Sequence, residues 1–329
     1  MMQRSTVIAA LAGLGLAASA SAASNDLESR VTARDGWVAY SVPMFAGADG
    51  PCCFSVNKGT TTQKGCDLDQ RRWSFDSDDG DPAAAEGALA VYLKVAKGRI
   101  ERVRAVGSSC PVHTATAVRW VDPVEPATSV AMLTSFLDRN TGDAQEHSLM
   151  ALAYHADASA MRALAARAEP THSFKVREQA LFWLGQIRGA EGAGVIQRYA
   201  AGDPNPKLRA KAIFALSQSN APNAYDDILK IARNDSDDEV RGEAFFWLVQ
   251  TDDPRAKNDV IASLRAESSS RVQDEAVFAL SQLDDGAADD ALISVVRGDF
   301  PRAVKKQAMF WLGQSGSPRA MAYFEEALE

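Results

Sequence analysis

Four cysteines are the residues of this chain whose chemistry is easiest to infer, and all of them lie between residues 52 and 110. They are Cys52, Cys53, Cys66 and Cys110. An even number of cysteines in an oxidising compartment indicates disulfides, and four cysteines allow three connectivities. Because a bond between two adjacent residues requires strained geometry, we expect Cys52 and Cys53 to bridge separately to Cys66 and Cys110.

A metal site or a redox pair is the alternative use of these thiols. Cys110 and His113 stand in the sequence Cys-Pro-Val-His, and both residue types bind metal ions. Structural zinc sites combine two such ligand pairs, but this chain has no second pair at zinc-like spacing. The sequence therefore predicts structural disulfides, with no metal and no cofactor.

The stretch Asp76–Asp81 has the composition of a calcium-binding loop but not its spacing. An EF-hand loop carries acidic ligands at positions 1, 3 and 5, glycine at position 6 and glutamate at position 12. Counted from Asp76, Gly80 comes one position early and Glu86 falls at position 11. We therefore predict a solvated acidic loop, and a weak ion site is the alternative.

The four histidines form no known catalytic motif. They are His113, His147, His155 and His172. None of them stands in a His-Glu-x-x-His zinc motif or in a nucleophile elbow. His147 and His155 are eight residues apart on one predicted helix, too far for a shared metal ion, and we expect both to be partly exposed. We therefore expect no catalytic site. The alternative is an enzyme or small-ligand site in residues 23–125 or where they meet the first repeats.

The elements that position these residues begin with a candidate leader at residues 1–22. Arg4 supplies a positive charge, residues 7–18 are an apolar run, and Ala20-Ser21-Ala22 is a small-residue cleavage site. The run is too short to span a membrane, and no later stretch approaches the required length. We therefore predict a signal peptide cleaved near Ala22 and an exported protein, periplasmic or secreted, without a membrane span.

Residues 23–125 differ in composition from the rest of the chain and predict a small β-rich domain. Runs of β-branched and aromatic residues predict strands, and Lys97-Gly98 predicts a tight hairpin turn. The runs are 37–42, 53–56, 88–95, 100–106 and 117–121. Two disulfides would help to stabilise a core of this size. Residues 126–142 are then predicted to form a linker and a helix that caps the following domain.

Residues 143–329 repeat with a period of 32. The stretch VREQALFWLGQ from Val176 recurs as LRAKAIFALSQ, VRGEAFFWLVQ, VQDEAVFALSQ and VKKQAMFWLGQ, and a degenerate first copy begins at Ala144. In each copy, apolar residues recur at helical spacing, and a second apolar run follows after a turn. Each repeat is therefore predicted to be two antiparallel helices, A and B. Six such pairs must stack to bury their apolar faces.

These repeats resemble the HEAT-repeat superfamily, in the short form found in the phycobilisome lyases. The matching residues are Val-Arg at 176–177 and 240–241, small residues at the centre of helix A, and Leu-Gly-Gln at 184–186 and 312–314. The resemblance implies an α+β multidomain chain that is mainly an α-solenoid, behind the disulfide-bonded β domain. Deoxyhypusine hydroxylase, an enzyme of HEAT repeats, holds iron through His-Glu pairs, but this chain contains no His-Glu dipeptide.

HEAT repeats often pair an acidic residue of the loop between repeats with an arginine six positions later. The resemblance therefore implies structural ion pairs that tie one repeat to the next. They would be Asp203 with Arg209, Asp235 with Arg241, and Asp299 with Lys305.

Tryptophan alternates with alanine at one position of helix A. Trp183, Trp247 and Trp311 stand in alternate repeats, with Ala215 and Ala279 between them. Large and small side chains that face each other fill an interior well. We therefore predict that this column packs in the core of the stack.

Five phenylalanines share another column, which lies outside the predicted core face of helix A. They are Phe182, Phe214, Phe246, Phe278 and Phe310, and a glutamine follows each of them four residues later. Related repeats usually carry a charged residue in this column. Either the rings pack into the seams between A helices, or they form an exposed ribbon that binds an extended partner or a second copy of the protein.

A second candidate binding surface is acidic, and helix B is expected to line the inner curve of the solenoid. Its non-core positions hold Asp226, Asp227, Asp259, Asp289 and Asp290. They form either an ordinary solvated face or a groove for a cationic segment. The formal net charge of −8 argues against nucleic acid as the partner. We therefore expect a non-catalytic scaffold that binds another exported protein or peptide, with its oligomeric state left open.

Overall fold

The computed structural model describes residues 23–48, 50–57, 60–63, 65–70, 87–284 and 286–328. The predicted signal peptide at residues 1–22 and the acidic stretch Asp76–Asp81 lie outside the described residues. The chain forms two compact units, which divide between Arg167 and Ala168. The first unit thus includes the helices that the sequence assigned to the cap and to the first repeat. The exact domain boundaries predicted from the sequence stay a prediction.

The described strands all lie in the first unit. They are β1 (Gly36–Pro43), β2 (Phe54–Asn57), β3 (Thr60–Gln63), β4 (Cys66–Asp67), β5 (Ala88–Ala96), β6 (Arg99–Gly107), β7 (Val112–His113) and β8 (Val118–Trp120). Four of them form a sheet in the order β6-β5-β1-β8, in which only the β1–β8 pair is parallel. Two small sheets join β2 with β3 and β4 with β7. The predicted β domain is confirmed, although β3, β4 and β7 were not anticipated.

The hairpin between β5 and β6 shows why the sequence folds in this way. Lys97 and Gly98 both adopt positive φ, at 52° and 69°, as a tight two-residue turn requires. The carboxylate of Asp35 accepts hydrogen bonds from both of their backbone N–H groups, at 2.9 and 3.1 Å. The turn and its acidic cap therefore set the register of the two longest strands.

Two of the helices of the first unit pack on this sheet. Residues 23–32 are helical (α1), and the later helices are α2 (Pro126–Arg139), α3 (Asp143–Tyr154) and α4 (Ala158–Arg167). The buried Tyr40 hydroxyl on β1 lies 2.9 Å from the Ser129 hydroxyl on α2. Arg104, fully buried on β6, donates a hydrogen bond to the Asp143 carboxylate on α3 at 3.0 Å. Because α2 and α3 contact the sheet and α4 contacts both of them, these helices belong to the unit of the sheet rather than to the stack that follows.

Both disulfides form, and they pair the cysteines as the sequence predicts. Cys52 is bonded to Cys110 and Cys53 to Cys66, so no cysteine is free. The bonded sulfurs lie in a core cluster with Trp37 on β1. Because disulfides persist only where thiols are not kept reduced, they indicate an oxidising, non-cytoplasmic environment.

The second unit is a stack of helical pairs. Its A helices are α5 (Phe174–Gln186), α7 (Pro206–Ser217), α9 (Asp238–Val249), α11 (Ser270–Ser281) and α13 (Arg302–Ser315). Its B helices are α6 (Gly189–Gly202), α8 (Ala224–Asn234), α10 (Ala256–Ala266), α12 (Ala287–Arg297) and α14 (Pro318–Leu328). The predicted α-solenoid is confirmed. Within the described residues, no helix combines the length and apolar composition needed to cross a membrane.

The first four A helices begin at matching positions because a capping side chain recurs with the repeat. Each cap accepts a hydrogen bond from a backbone N–H of the first helical turn, which leaves fewer donors unpaired there. The caps are Ser173, Asn205, Asp237 and Ser269. An N-cap of this kind contributes about 1 kcal/mol, so the helix starts follow directly from the sequence.

Successive A helices lie close together, whereas successive B helices make few direct contacts. A column of fully buried alanines allows the close approach; it includes Ala180, Ala212 and Ala244. A Cβ atom built on Gly185 would lie 2.2 Å from the carbonyl oxygen of Ala215 on the next A helix. The A helices thus form the more closely packed layer, and the expectation that the B helices line the inner curve stays a prediction.

Candidate interaction surface

The five column phenylalanines lie at the edge of the A-helix layer. Four of them are half-buried, and the last, Phe310, is 51% exposed. The glutamines four residues further on are exposed, except for the half-buried Gln218. Neither sequence interpretation holds alone, because each ring is partly packed in a seam and partly open to solvent.

The rings contact one another across the seams between A helices. Phe182 and Phe214 stack with their centroids 6.1 Å apart, and Phe246 and Phe278 stack at the same distance with planes only 7° apart. Trp247 joins the two stacks, with its ring centroid 4.5 Å from that of Phe214. We call the continuous series of rings the aromatic ladder. In order, it consists of Trp183, Phe182, Phe214, Trp247, Phe246, Phe278, Trp311 and Phe310.

The tryptophans of the ladder are not the core residues that the sequence predicted. All three are half-buried, and the Trp247 indole N–H donates a hydrogen bond to the Glu243 carboxylate at 3.1 Å. On a helix this position lies between the core face and the phenylalanine column. Only the small Ala215 and Ala279 are fully buried there, in the alternate helices. A larger ring has no room in so narrow a seam and packs against the phenylalanines instead.

A groove of about 390 Å³ opens beside the ladder, between α9 and α11. We call it the α9/α11 groove. Phe246, Trp247 and Phe278 form its aromatic side. Its polar side consists of three carboxylates and one guanidinium, from Glu239, Glu243, Glu275 and Arg271. The sequence analysis missed this groove, because the groove depends on how α9 and α11 pack against each other.

An arginine column ties successive repeats together, but not through the acids that the sequence predicted. Each arginine forms an ion pair with the acid 26 residues later in the chain. The pairs are Arg177 with Asp203, Arg209 with Asp235, and Arg241 with Glu267. The predicted carboxylate pairs Asp203–Arg209 and Asp235–Arg241 are therefore wrong, and Asp299–Lys305 stays a prediction.

The geometry of the guanidinium explains this correction. One nitrogen of Arg209 donates to the backbone carbonyl of Asp203 at 2.8 Å, and Arg241 does the same to Asp235. The remaining nitrogens of each arginine then point to the carboxylate of the next loop. Hydrogen bonding to the Asp235 carboxylate raises the pKa of Arg209. The guanidinium group of each arginine thus joins two successive loops, and these bonds hold neighbouring repeats together.

The acidic positions of the B helices are mostly paired with neighbouring B helices. Asp226 forms an ion pair with Arg255 at 2.9 Å. Asp259 pairs with Arg233 at 3.0 Å and also accepts a hydrogen bond from the Tyr225 hydroxyl. These carboxylates already have cationic partners within the chain.

The last two B helices continue the same arrangement. Asp290 forms an ion pair with Arg319, and the buried Asp289 accepts a hydrogen bond from Ser317. Asp227 is half-buried. The set is therefore not a row of free carboxylates, and a binding role for it stays untested.

The metal-ligand pair considered in the first unit is not available. The sulfur of Cys110 is bonded to Cys52, so it offers no thiolate beside His113. In the part of the chain that the structure describes, the one tight group of three possible metal ligands is Cys52, Cys66 and Cys110. All three sulfurs already belong to disulfides.

The two histidines of α3 have structural surroundings. His155 is fully buried, contrary to expectation, because it ends the helix where the chain bridges to Met44. Its Nδ1 accepts a hydrogen bond from the backbone N–H of Asp157. His147 is half-buried, and burial together with the charge of Arg104 lowers its pKa to about 4. The imidazole of His147 is therefore neutral near pH 7, and it packs between α3 and the sheet.

Comparison with known proteins identifies the repeats. The model for HEAT repeats matches residues 162–245, 193–281 and 225–308, and no family matches the N-terminal β domain. No curated protein matches the chain. A solved structure of human deoxyhypusine hydroxylase in complex with glycerol is similar at 19% identity, over 62% of this chain and 78% of that one, with a TM-score of 0.26.

Proposed function

We propose that the repeats of this chain bind an extended segment of another protein along the aromatic ladder. The chain belongs to the HEAT-repeat superfamily. HEAT repeats are generally scaffolds for protein interaction, and stacked repeats provide long continuous surfaces. On this surface, the partner would lie across the A helices, with its side chains on the rings and in the seams.

The observation that carries the proposal is the ladder itself. Aromatic side chains supply large contact areas and lose few rotamers on binding, which is why they dominate the energetic centres of protein interfaces. Here eight rings form one unbroken series over five A helices. A soluble protein rarely leaves such a series partly open unless something binds it.

The glutamine column supports an extended occupant. Gln186, Gln250, Gln282 and Gln314 are exposed along the A helices that carry the ladder. Each amide offers both a donor and an acceptor, and a stretched backbone needs both along its length. The rings would then supply affinity and the amides would hold the backbone.

Two independent features support the proposed compartment. The first 22 residues have the pattern of a signal peptide, and the disulfides require oxidising surroundings. We therefore propose that the protein acts in the periplasm or outside the cell, and that its partner is another exported protein or peptide. The net charge of −8 makes a nucleic acid an unsuitable partner.

Site-specific photo-crosslinking tests the proposal. A photoreactive phenylalanine analogue in place of Phe310, at the exposed end of the ladder, should crosslink one exported protein in the native host. The same analogue in place of Met321, which is 55% exposed outside the ladder, is the matched control. A crosslinked partner common to both positions would count against the ladder. Crosslinking only to a second copy of the chain would show self-assembly instead.

The captured partner then allows a quantitative test. Phe246→Leu with Phe278→Leu keeps apolar side chains in the seam but removes the stacked rings. Since a ring pair contributes about 0.5–1.5 kcal/mol beyond its buried area, the fold should survive with a loss of that size. Binding should weaken at least tenfold, whereas Phe174→Leu, an exposed position outside the ladder, should leave binding unchanged. Equal binding by all three proteins would overturn the proposal.

A further inference from the structure

We infer that the α9/α11 groove binds a cationic side chain, that of a lysine or an arginine, carried by the segment that lies along the aromatic ladder. The inference rests on the proposed function, because it specifies the chemistry of one residue of that partner. It is carried by the shape of the groove, by its charge, and by a comparison with the equivalent seam earlier in the stack.

The aromatic side of the groove suits a cation on an apolar stem. Phe246 and Phe278 lie nearly parallel, and Trp247 stands almost perpendicular to Phe246, with planes 84° apart and centroids 4.9 Å apart. Ring faces attract ammonium and guanidinium groups, and tryptophan does so most strongly. The methylene stem of a lysine or arginine would meanwhile cover apolar ring surface. The volume of about 390 Å³ is ample for either side chain.

The polar side of the groove carries excess negative charge. Three glutamates face one arginine there, so the formal charge is 1 − 3 = −2. Arg271 lies 3.7 Å from Glu239. Glu243 accepts its hydrogen bond from the Trp247 indole, and neither Glu243 nor Glu275 forms an ion pair with any other described residue. The two carboxylates of Glu243 and Glu275 therefore lie beside the rings without a cationic partner among the described residues.

The seam between α5 and α7 shows the same chemistry already satisfied within the chain. It lies one two-repeat period earlier and has the same stack of two phenylalanines, Phe182 and Phe214. In that seam the ammonium of Lys211 pairs with the carboxylate of Glu178 at 3.5 Å. In the first seam, Lys211 of the chain itself therefore supplies the cation beside the stacked rings.

In the α9/α11 groove both members of that internal pair are replaced. Gly242 stands at the position of Glu178, and Glu275 stands at the position of Lys211. The glycine allows Glu275 to pack closely against α9, because a Cβ atom there would lie only 3.0 Å from the Glu275 side chain. The cation of the first seam is thus replaced by a carboxylate, which α9 holds at the edge of the groove. A cation from the partner would restore the missing pair.

Titration of the mature protein with amino-acid amides tests the inference. The probes are N-acetyl-lysine amide and N-acetyl-arginine amide, and N-acetyl-norleucine amide is the uncharged control. The readout is the indole N–H resonance of Trp247, which Trp247→Phe assigns. We expect a saturable shift with the two cationic probes and none with norleucine. The indole resonance of Trp183, in the seam that Lys211 already occupies, should not move.

Two variants separate the groove from general acidity. Glu243→Gln with Glu275→Gln should weaken binding of the cationic probes at least tenfold, whereas Glu325→Gln, an exposed acid elsewhere, should not. Glu275→Lys alone restores the cation that Lys211 supplies in the first seam, and it should abolish binding of the cationic probes. The inference is overturned if norleucine shifts Trp247 equally, or if Trp183 moves with Trp247, or if the double glutamine variant binds as well as the parent.

The outcome is distinguishable from failure of the proposed function. If Phe310 crosslinks a partner but the cationic probes leave Trp247 unmoved, the scaffold stands and the groove assignment falls. If the probes bind but the leucine variant retains the partner, the groove does bind a cation, and the proposed binding along the aromatic ladder falls.

Discussion

The first unit joins residues that are far apart in the sequence, whereas each helix of the second unit contacts helices close to it in the sequence. Cys52 is bonded to Cys110, which lies 58 residues further on, and β1 pairs with both β5 and β8. In the second unit, Arg209 reaches only to Asp235, 26 residues on. The first unit must therefore close as a whole, while the second is a sum of similar local interfaces.

The largest expected effect comes from breaking one of those local interfaces at its buried ion pair. Arg177→Met leaves the nearly inaccessible Asp203 carboxylate without its cation. Removal of one partner of a buried pair costs about 3–5 kcal/mol, and the loss should be confined to the second unit. Urea unfolding with hydrogen exchange would measure both the size and the location of this loss of stability.

The control is Arg198→Met, whose pair with Glu169 is exposed and should contribute at most about 1 kcal/mol. Equal losses in the two variants, or loss of protection in the sheet, would contradict the comparison.

Removal of a disulfide should give the next largest effect, in the other unit. Cys52→Ser with Cys110→Ser opens the longer of the two bonded loops. We expect the first unit to lose about 2–4 kcal/mol of unfolding free energy, because the unfolded chain regains freedom. The second unit should keep its own unfolding transition. Thiol titration of the denatured, unreduced parent protein provides the control, since it should find no free thiol.

The smallest effect concerns pH and again distinguishes the units. The Asp69 carboxylate accepts hydrogen bonds from the backbone N–H of Ala115 and from the Trp37 indole, and these lower its pKa from 3.8 to about 2. A carboxyl with a lowered pKa stabilises the fold above its unfolded pKa, and this contribution is lost as pH falls through the folded value. The first unit should therefore lose stability between about pH 4 and pH 2.

Asp69→Asn is the variant that checks this pH dependence. It should flatten the curve of unfolding free energy against pH in that window for the first unit. The second unit should show the same acid dependence with and without the change. An unaltered slope in the first unit would mean that Asp69 contributes nothing to its acid sensitivity.

Much of the fold could be predicted because its determinants are local. The capping residues, the turn at Lys97-Gly98 and the apolar periods of the A helices all act within a few residues of the chain. The disulfide pairing was predictable only in part: the adjacent cysteines exclude one of three connectivities, and the fold selects Cys52–Cys110 and Cys53–Cys66 from the remaining two. By contrast, α1 and the short strands β3, β4 and β7 were not predicted, because their sequences carry little periodicity.

The candidate site was predictable only in part. The recurrence of Phe182, Phe214 and their equivalents placed them off the core face of helix A, and that position follows from the helical period alone. The stacking of the rings, and the part that Trp247 takes in it, depend on the spacing between neighbouring helices. The helical period gives the direction of a side chain on its own helix, but it does not give the distance to the next helix.

The sequence by itself determined the 32-residue period, the helical pairs, the strands of the main sheet and the column of phenylalanines. Tertiary structure alone decided which loop each arginine reaches, which layer of helices packs closely, and where a groove opens between α9 and α11. The physical reason is that periodicity acts within one element, whereas these contacts form across a seam. Gly185 against Ala215 sets the closeness of one such seam, and it leaves room there for alanine but not for tryptophan.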